Sequence, residues 1–265
     1  AILLKQCEAA NIDVIVLKGV VLRNLYPAAD LRTMNDVDIL IQEEQLEQIE
    51  KLLIHQGYTK YKECEKDDIY IKTGWPMIEV HWKLSDEKYF TGNVDYEKCI
   101  WDRKREVNVC GSKAYTLGHN DFLLHLMIHM ASHAACHGFG IRFLLDIILM
   151  IEKEYEQIDW NQFKEDLRTC GIERFSMIML QCCESWFEFK IPDELISLKV
   201  KDCRYLEELK LDILESGVHG YRHQDEILIR ELAYNQHTQS IFMRFIRAIF
   251  PSIHSMSEKY RYAKQ

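Results

Sequence analysis

Apolar positions in the first 117 residues fall in short β-branched runs broken by glycine and proline, whereas from residue 120 onward they recur at helical spacing. Residues 12–18 (IDVIVLK) read as a strand ending at Gly19, and residues 20–26 as a short helix stopped by Pro27. After a polar loop at 28–35, DVDILI at 36–41 predicts a second strand, followed by an amphipathic helix over 43–57 that closes on Gly57. IYIK at 69–72 and MIEVHWKL at 77–84 predict two more strands joined by the turn TGWP, and 105–117 predicts a hairpin turning at Cys110, Gly111 and Ser112. The stretches at 121–137, 142–155, 163–171 and 174–187 have helical periodicity, so residues 120–262 are expected to form five to seven helices. The pattern is therefore α+β, with a β-containing domain at 1–117 and an all-helical domain at 118–265. No flexible linker separates the two, which are expected to pack closely.

Because side chains alternate along a strand, Asp36 and Asp38 project from one face and Val37, Ile39 and Ile41 from the other. Two anions that close are costly without a positive charge between them, and an oxygen-seeking divalent metal is the natural occupant. Phosphoryl or nucleotidyl transfer needs this constellation. Glu79, flanked by Ile78 and Val80, is the expected third carboxylate, a metal ligand and general base, and His81 shares its face. The same D-x-D pattern also fits two solvated acids at the start of a strand.

Composition narrows the partners. The net charge of −9 gives no overall attraction to a nucleic-acid backbone, so a long polynucleotide is not expected, although Lys18, Arg23 and Arg32 can locally cradle a triphosphate. Nine scattered cysteines, odd in number and without a C-x-x-C pair, fit a reducing compartment. The opening residues lack a basic lead and a cleavage site, and no apolar run has membrane-spanning length; a cytoplasmic protein is expected, with no membrane partner.

Leu17, Lys18 and Gly19, then Tyr26 and Pro27, Arg32 with Asp36 and Asp38, Glu79 with His81 and Trp82, and the later His129, His133 and Asp146 occur in an order that resembles the bacterial uncharacterised nucleotidyltransferases, a branch of the DNA polymerase β-like superfamily. The resemblance covers roughly residues 12–150. It implies a mixed sheet carrying the metal carboxylates, a helical domain closing the cleft, Mg2+ or Mn2+ at Asp36, Asp38 and Glu79, and a nucleoside triphosphate, ATP, as donor. It implies a chemistry class more than a substrate; the small-molecule or protein acceptor is the expectation from the acidic composition. In the wider superfamily Gly19 would be followed by Gly or Ser, but Val20 stands here. Phosphate contacts are thereby expected from Lys18, from backbone amides after Gly19, and from Arg32.

His125, His129, His133 and His137 recur every fourth residue of one predicted helix. That spacing can bind zinc, but no H-E-x-x-H motif accompanies it, and packed histidines are the favoured reading. Alternatively, His129 and His133 with Arg142 and Asp146 line the nucleotide site, or Arg142 and Asp146 form a plain surface pair. Three functions follow: transfer of a nucleoside monophosphate to a hydroxyl, a nucleotide-binding module without turnover, and a zinc hydrolase on the histidine row.

Overall fold

Three consecutive buried β-branched residues, Val14, Ile15 and Val16, make a strand that has no solvent face, and it lies in the interior of the sheet with a neighbour on each side. The computed structural model describes residues 2–64, 66–84, 99–136, 139–201, 206–215 and 217–218. The chain divides into two compact units, the first holding the described residues up to 84 and 99–122, the second those from Leu123 onward.

In the first unit, α1 (Ile2–Ala9), β1 (Val14–Val16), α2 (Lys18–Leu22), β2 (Asp36–Ile41), α3 (Leu46–His55), β3 (Thr59–Glu63), β4 (Asp67–Ile71), β5 (Met77–His81), β6 (Arg105–Val109) and β7 (Ser112–Thr116) follow in order. The seven strands form one sheet in the order β3-β4-β5-β2-β1-β7-β6. It is mixed. β2 runs antiparallel to β1 and parallel to β5, while β1 and β7 are parallel and β4–β5 and β6–β7 are antiparallel hairpins. The β6–β7 turn places both Cys110 and Gly111 at positive φ, the backbone twist that a two-residue hairpin loop requires. α3 buries Ile49 and Leu53, four residues apart on one side.

Several boundaries differ from the sequence reading. The first strand ends at Val16, because Lys18 takes a positive φ of 35° and turns the chain into α2, which continues as a 3-10 turn over Arg23–Leu25. The fifth strand stops at His81, not residue 84. α1 and β3 carried no apolar pattern strong enough to predict them. β3, with the sequence TKYKE, is an exposed edge strand with a register shift between Lys60 and Lys62, which is how edge strands avoid further pairing.

Helix α4 (His119–Cys136) follows β7. Its first turn is held by Arg103, whose Nε and Nη2 donate to the two oxygens of Asp121 at 2.8 and 2.7 Å. Phe122, Leu123, Leu124, Leu126, Met127, Ile128, Met130 and Ala131 are all buried, so α4 is apolar nearly all round. The second unit continues with α5 (Ile141–Glu154), α6 (Trp160–Thr169), α7 (Glu173–Phe187) and α8 (Leu206–Glu215). Asp159 caps α6 by accepting from the Gln162 amide at 3.0 Å. His137, the helices expected beyond residue 218 and the Tyr260–Arg261–Tyr262 cluster lie outside the described residues. Among the described residues no helix is long and apolar enough to cross a membrane.

Candidate active site

The parallel register of β2 and β5 sets Asp38 directly opposite Glu79 and Leu40 opposite His81. Residues two apart share a face, so the side chains of Asp38, Glu79 and His81 meet on one side of the sheet. One donor atom from each lies within 4.8 Å of the others, the one such group of three among the described residues. His81 Nε2 is 3.2 Å from Asp38 Oδ1 and 3.6 Å from Glu79 Oε2. On the opposite side of the ring, Nδ1 is 3.6 Å from Asp67 Oδ2.

Asp36 stands one strand repeat before Asp38 on the same face, but outside this converging set, and it is half-buried where Asp38 is buried. Its charge still reaches the site, since it helps to raise the pKa of both Glu79 and Lys18. Lys18 Nζ contacts Asp38 Oδ1 at 2.7 Å. The sequence pointed Lys18 toward phosphate; the structure gives its ammonium to the carboxylate cluster.

The electrostatics follow from that packing. Burial pushes the Glu79 carboxyl up to about 7, with the Asp38 carboxylate adding to it and Lys18 opposing. Burial also acts to raise Asp38, but Lys18 and the His81 hydrogen bond outweigh it and hold Asp38 well below the usual carboxylate range. For Lys18, burial favours the neutral amine, yet Asp38, Glu79 and Asp36 together raise its pKa. The two carboxylates are thus driven apart, one firmly ionised and one poised near neutrality. Two carboxylates and an imidazole this close suit a divalent cation, whose ligand distances of roughly 2.0–2.6 Å bring its donors together.

Gly19 and Arg32 fit each other. A Cβ at Gly19 would stand 2.6 Å from Arg32 Nη1, so only glycine lets this buried guanidinium lie against the first turn of α2. Val20 is buried, so the position after the glycine faces the core.

His129, His133, Arg142 and Asp146 belong to the second unit. His129 stacks on Phe143 with ring centroids 5.5 Å apart, His133 tilts against the same ring at 5.1 Å, and the two histidines meet edge-to-face at 4.5 Å. His125 stacks on His129 at 6.0 Å. His125, His129 and His133 are built into an aromatic ladder with Phe143 of α5, on which Arg142 and the buried Asp146 lie one helical turn apart. Asp67 was not found in the sequence. Only its antiparallel pairing with His81 brings it to the site, although the D-D-apolar start of β4 resembles the acidic start of the Asp36–Asp38 strand.

Residues 2–188 match the family model described as "Uncharacterised nucleotidyltransferase". A search of curated proteins gave no match. Among solved structures, the antibiotic-resistance factor ANT(2'')-Ia is similar at 11% identity and a TM-score of 0.46, covering 68% of this chain and 92% of its own. The lincosamide antibiotic adenylyltransferase LnuA, lincomycin-bound, is similar at 15% identity and a TM-score of 0.39, covering 56% of this chain and 90% of its own. An antigenic nucleotidyltransferase-like protein from Paracoccidioides brasiliensis is similar at 15% identity and a TM-score of 0.44, covering 76% and 92% respectively.

Proposed function

The chain belongs to the uncharacterised nucleotidyltransferase family, and from that premise we propose that it transfers AMP from ATP to a hydroxyl of a small molecule or protein, with Mg2+ or Mn2+ held by Asp36, Asp38 and Glu79. The observation that carries this reading is the register Asp38↔Glu79, which opposes two carboxylates on adjacent parallel strands. A divalent metal bound there supplies charge neutralisation at the triphosphate oxygens and the departing pyrophosphate, and it acidifies the attacking hydroxyl.

The residues around it have separate tasks. Asp38, ionised throughout the neutral range, is the permanent anionic ligand. Glu79, poised near neutrality, accepts the hydroxyl proton as the new bond from oxygen to the α-phosphorus forms. The bond from that phosphorus to the pyrophosphate oxygen breaks, and its electrons leave with pyrophosphate. Arg32, lodged against Gly19 beside α2, offers a guanidinium for phosphate oxygens. Lys18, from the start of α2, offsets the repulsion between the carboxylates through its contact with Asp38.

The test is to incubate the pure protein with Mg2+, each α-labelled nucleoside triphosphate and a cell extract, and to follow label transfer and pyrophosphate release. Label on a small molecule or protein, lost in Asp36→Asn/Asp38→Asn, supports transfer. Nucleotide-induced thermal stabilisation with no pyrophosphate release would make the chain a binding module; the buried Val20, which offers no hydroxyl to a phosphate, is the feature that favours this second reading.

A further inference from the structure

His81 is only 7% exposed, and carboxylates border both of its ring nitrogens. A neutral imidazole has one N–H and one lone pair. Without a metal, Nε2–H donates to Asp38 Oδ1 at 3.2 Å while Nδ1 lies 3.6 Å from Asp67 Oδ2; a cation entering the set exchanges the tautomer, so that the hydrogen moves to Nδ1 on the Asp67 side and the Nε2 lone pair faces the cation beside Asp38 Oδ1 and Glu79 Oε2. Three electron-rich atoms converging on one point are stable together when a cation sits among them. A carboxylate behind the far nitrogen is the arrangement that fixes the tautomer and orientation of metal-ligating histidines. Asp67 is held there by cross-strand pairing, since it lies opposite His81 in the β4–β5 ladder, and it too is buried.

We propose that His81 Nε2 is itself a ligand of the metal, forming an Asp38–Glu79–His81 set with Asp67 orienting the ring, and that this nitrogen makes the site select Mn2+ over Mg2+. The inference rests on the reading that Asp38 and Glu79 hold a divalent ion, and it adds the ligand that discriminates between ions. Mg2+ seeks oxygen in a strict octahedron and gives up water reluctantly, whereas first-row transition ions gain from an imidazole. A site of carboxylates alone would hold the two ions more evenly. Asp38 Oδ1 is shared between Lys18 and His81, so an ion entering the set takes over the charge compensation that Lys18 provides.

The experiment uses the whole chain without nucleotide. Electron-spin-echo spectroscopy of the Mn2+-loaded protein is expected to show modulation from one directly bound imidazole 14N. Calorimetry is expected to give Mn2+ binding at least about tenfold tighter than Mg2+. In His81→Asn the nitrogen signal disappears while Mn2+ remains on the carboxylates, and the preference falls to within about threefold. In Asp67→Asn the Mn2+ affinity drops about 10–100-fold. Mn2+ bound to the unmodified protein without nitrogen modulation overturns the role of His81 and leaves the carboxylate reading standing. No binding of either ion overturns that reading and this inference together. Because the spectroscopic result needs no variant, a His81→Asn protein that fails to fold does not shelter the proposal.

Discussion

Lys18 Nζ lies 2.7 Å from Asp38 Oδ1, and the residue that makes this contact has a positive φ of 35°. A non-glycine residue held in that region costs about 1–3 kcal/mol, and such strain persists only where the surroundings impose it. Here the surroundings are charged. Asp38, Glu79 and Asp36 all raise the pKa of Lys18 against the effect of its burial. Lys18→Ala is expected to destabilise the metal-free protein by about 3 kcal/mol, the cost of leaving Asp38 buried without its partner. Lys18→Gly should lose roughly 1 kcal/mol less, because it relieves the backbone while removing the same ammonium. Chemical denaturation with EDTA present checks both values. Equal losses in the two variants would mean that the positive φ stores no strain.

A second prediction concerns pH. Glu79 is raised in the folded protein from the ordinary 4.5 to about 7, first by burial and then by Asp38. Between those values the folded state binds more protons than the unfolded state, so the contribution of Glu79 to stability falls as pH rises from about 4.5 through about 7. A divalent ion needs the carboxylate, so its affinity should move in the opposite sense and climb across the same window. Glu79→Gln should flatten the rise in Mn2+ affinity between pH 5.5 and 8, measured by calorimetry. A wild-type affinity that is level across that interval would contradict the raised carboxyl.

The Gly19–Arg32 contact gives a third. A methyl group at position 19 would meet Arg32 Nη1 at 2.6 Å, so Gly19→Ala must move a buried guanidinium. We expect about 1–3 kcal/mol of destabilisation from the overpacking, and about tenfold weaker nucleotide binding if Arg32 holds phosphate. In an Arg32→Ala background the same glycine change should have little effect on either quantity. This double-mutant cycle separates the contact from any general damage to α2. Additive losses would assign Gly19 a role independent of Arg32.

How much of this was legible depends on where each residue sits. β2 was read to its exact ends, Asp36 and Ile41, because a polar start followed by four buried positions leaves a clear mark in sequence. β3 left none, since an exposed edge strand of Thr, Lys, Tyr and Glu has no buried face to pattern. Glu79 and His81 were assigned to one face from strand alternation alone, and the parallel register puts that face beside Asp38. Asp67 was beyond reach, because it meets His81 only through antiparallel pairing, which depends on the turn geometry of the intervening hairpin. The histidine row was visible as a period of four, but its partner Phe143 lies on the next helix, and the aromatic ladder needed coordinates.

The two aspartates are expected to behave differently despite sharing a strand face. Asp38 is buried, pairs with Lys18 and belongs to the converging donor set; Asp36 is half-buried and stands outside it. Asp38→Asn therefore leaves the buried Lys18 ammonium without its nearest counter-charge, and should cost about 3 kcal/mol before any ligand is added. Asp36→Asn should change metal-free stability by less than about 1 kcal/mol, because it removes one of several like charges from a partly solvated position. Both variants are expected to lose the stabilisation that Mg2+ and ATP give the parent, which mass action sets at about 2.7 kcal/mol when ligand is 100-fold above its Kd. Denaturation curves with and without Mg2+ and ATP separate the two quantities in one set of samples. A full ligand shift retained in Asp36→Asn would reduce the metal set to Asp38, Glu79 and His81, and one retained in Asp38→Asn would remove the metal from this face of the sheet.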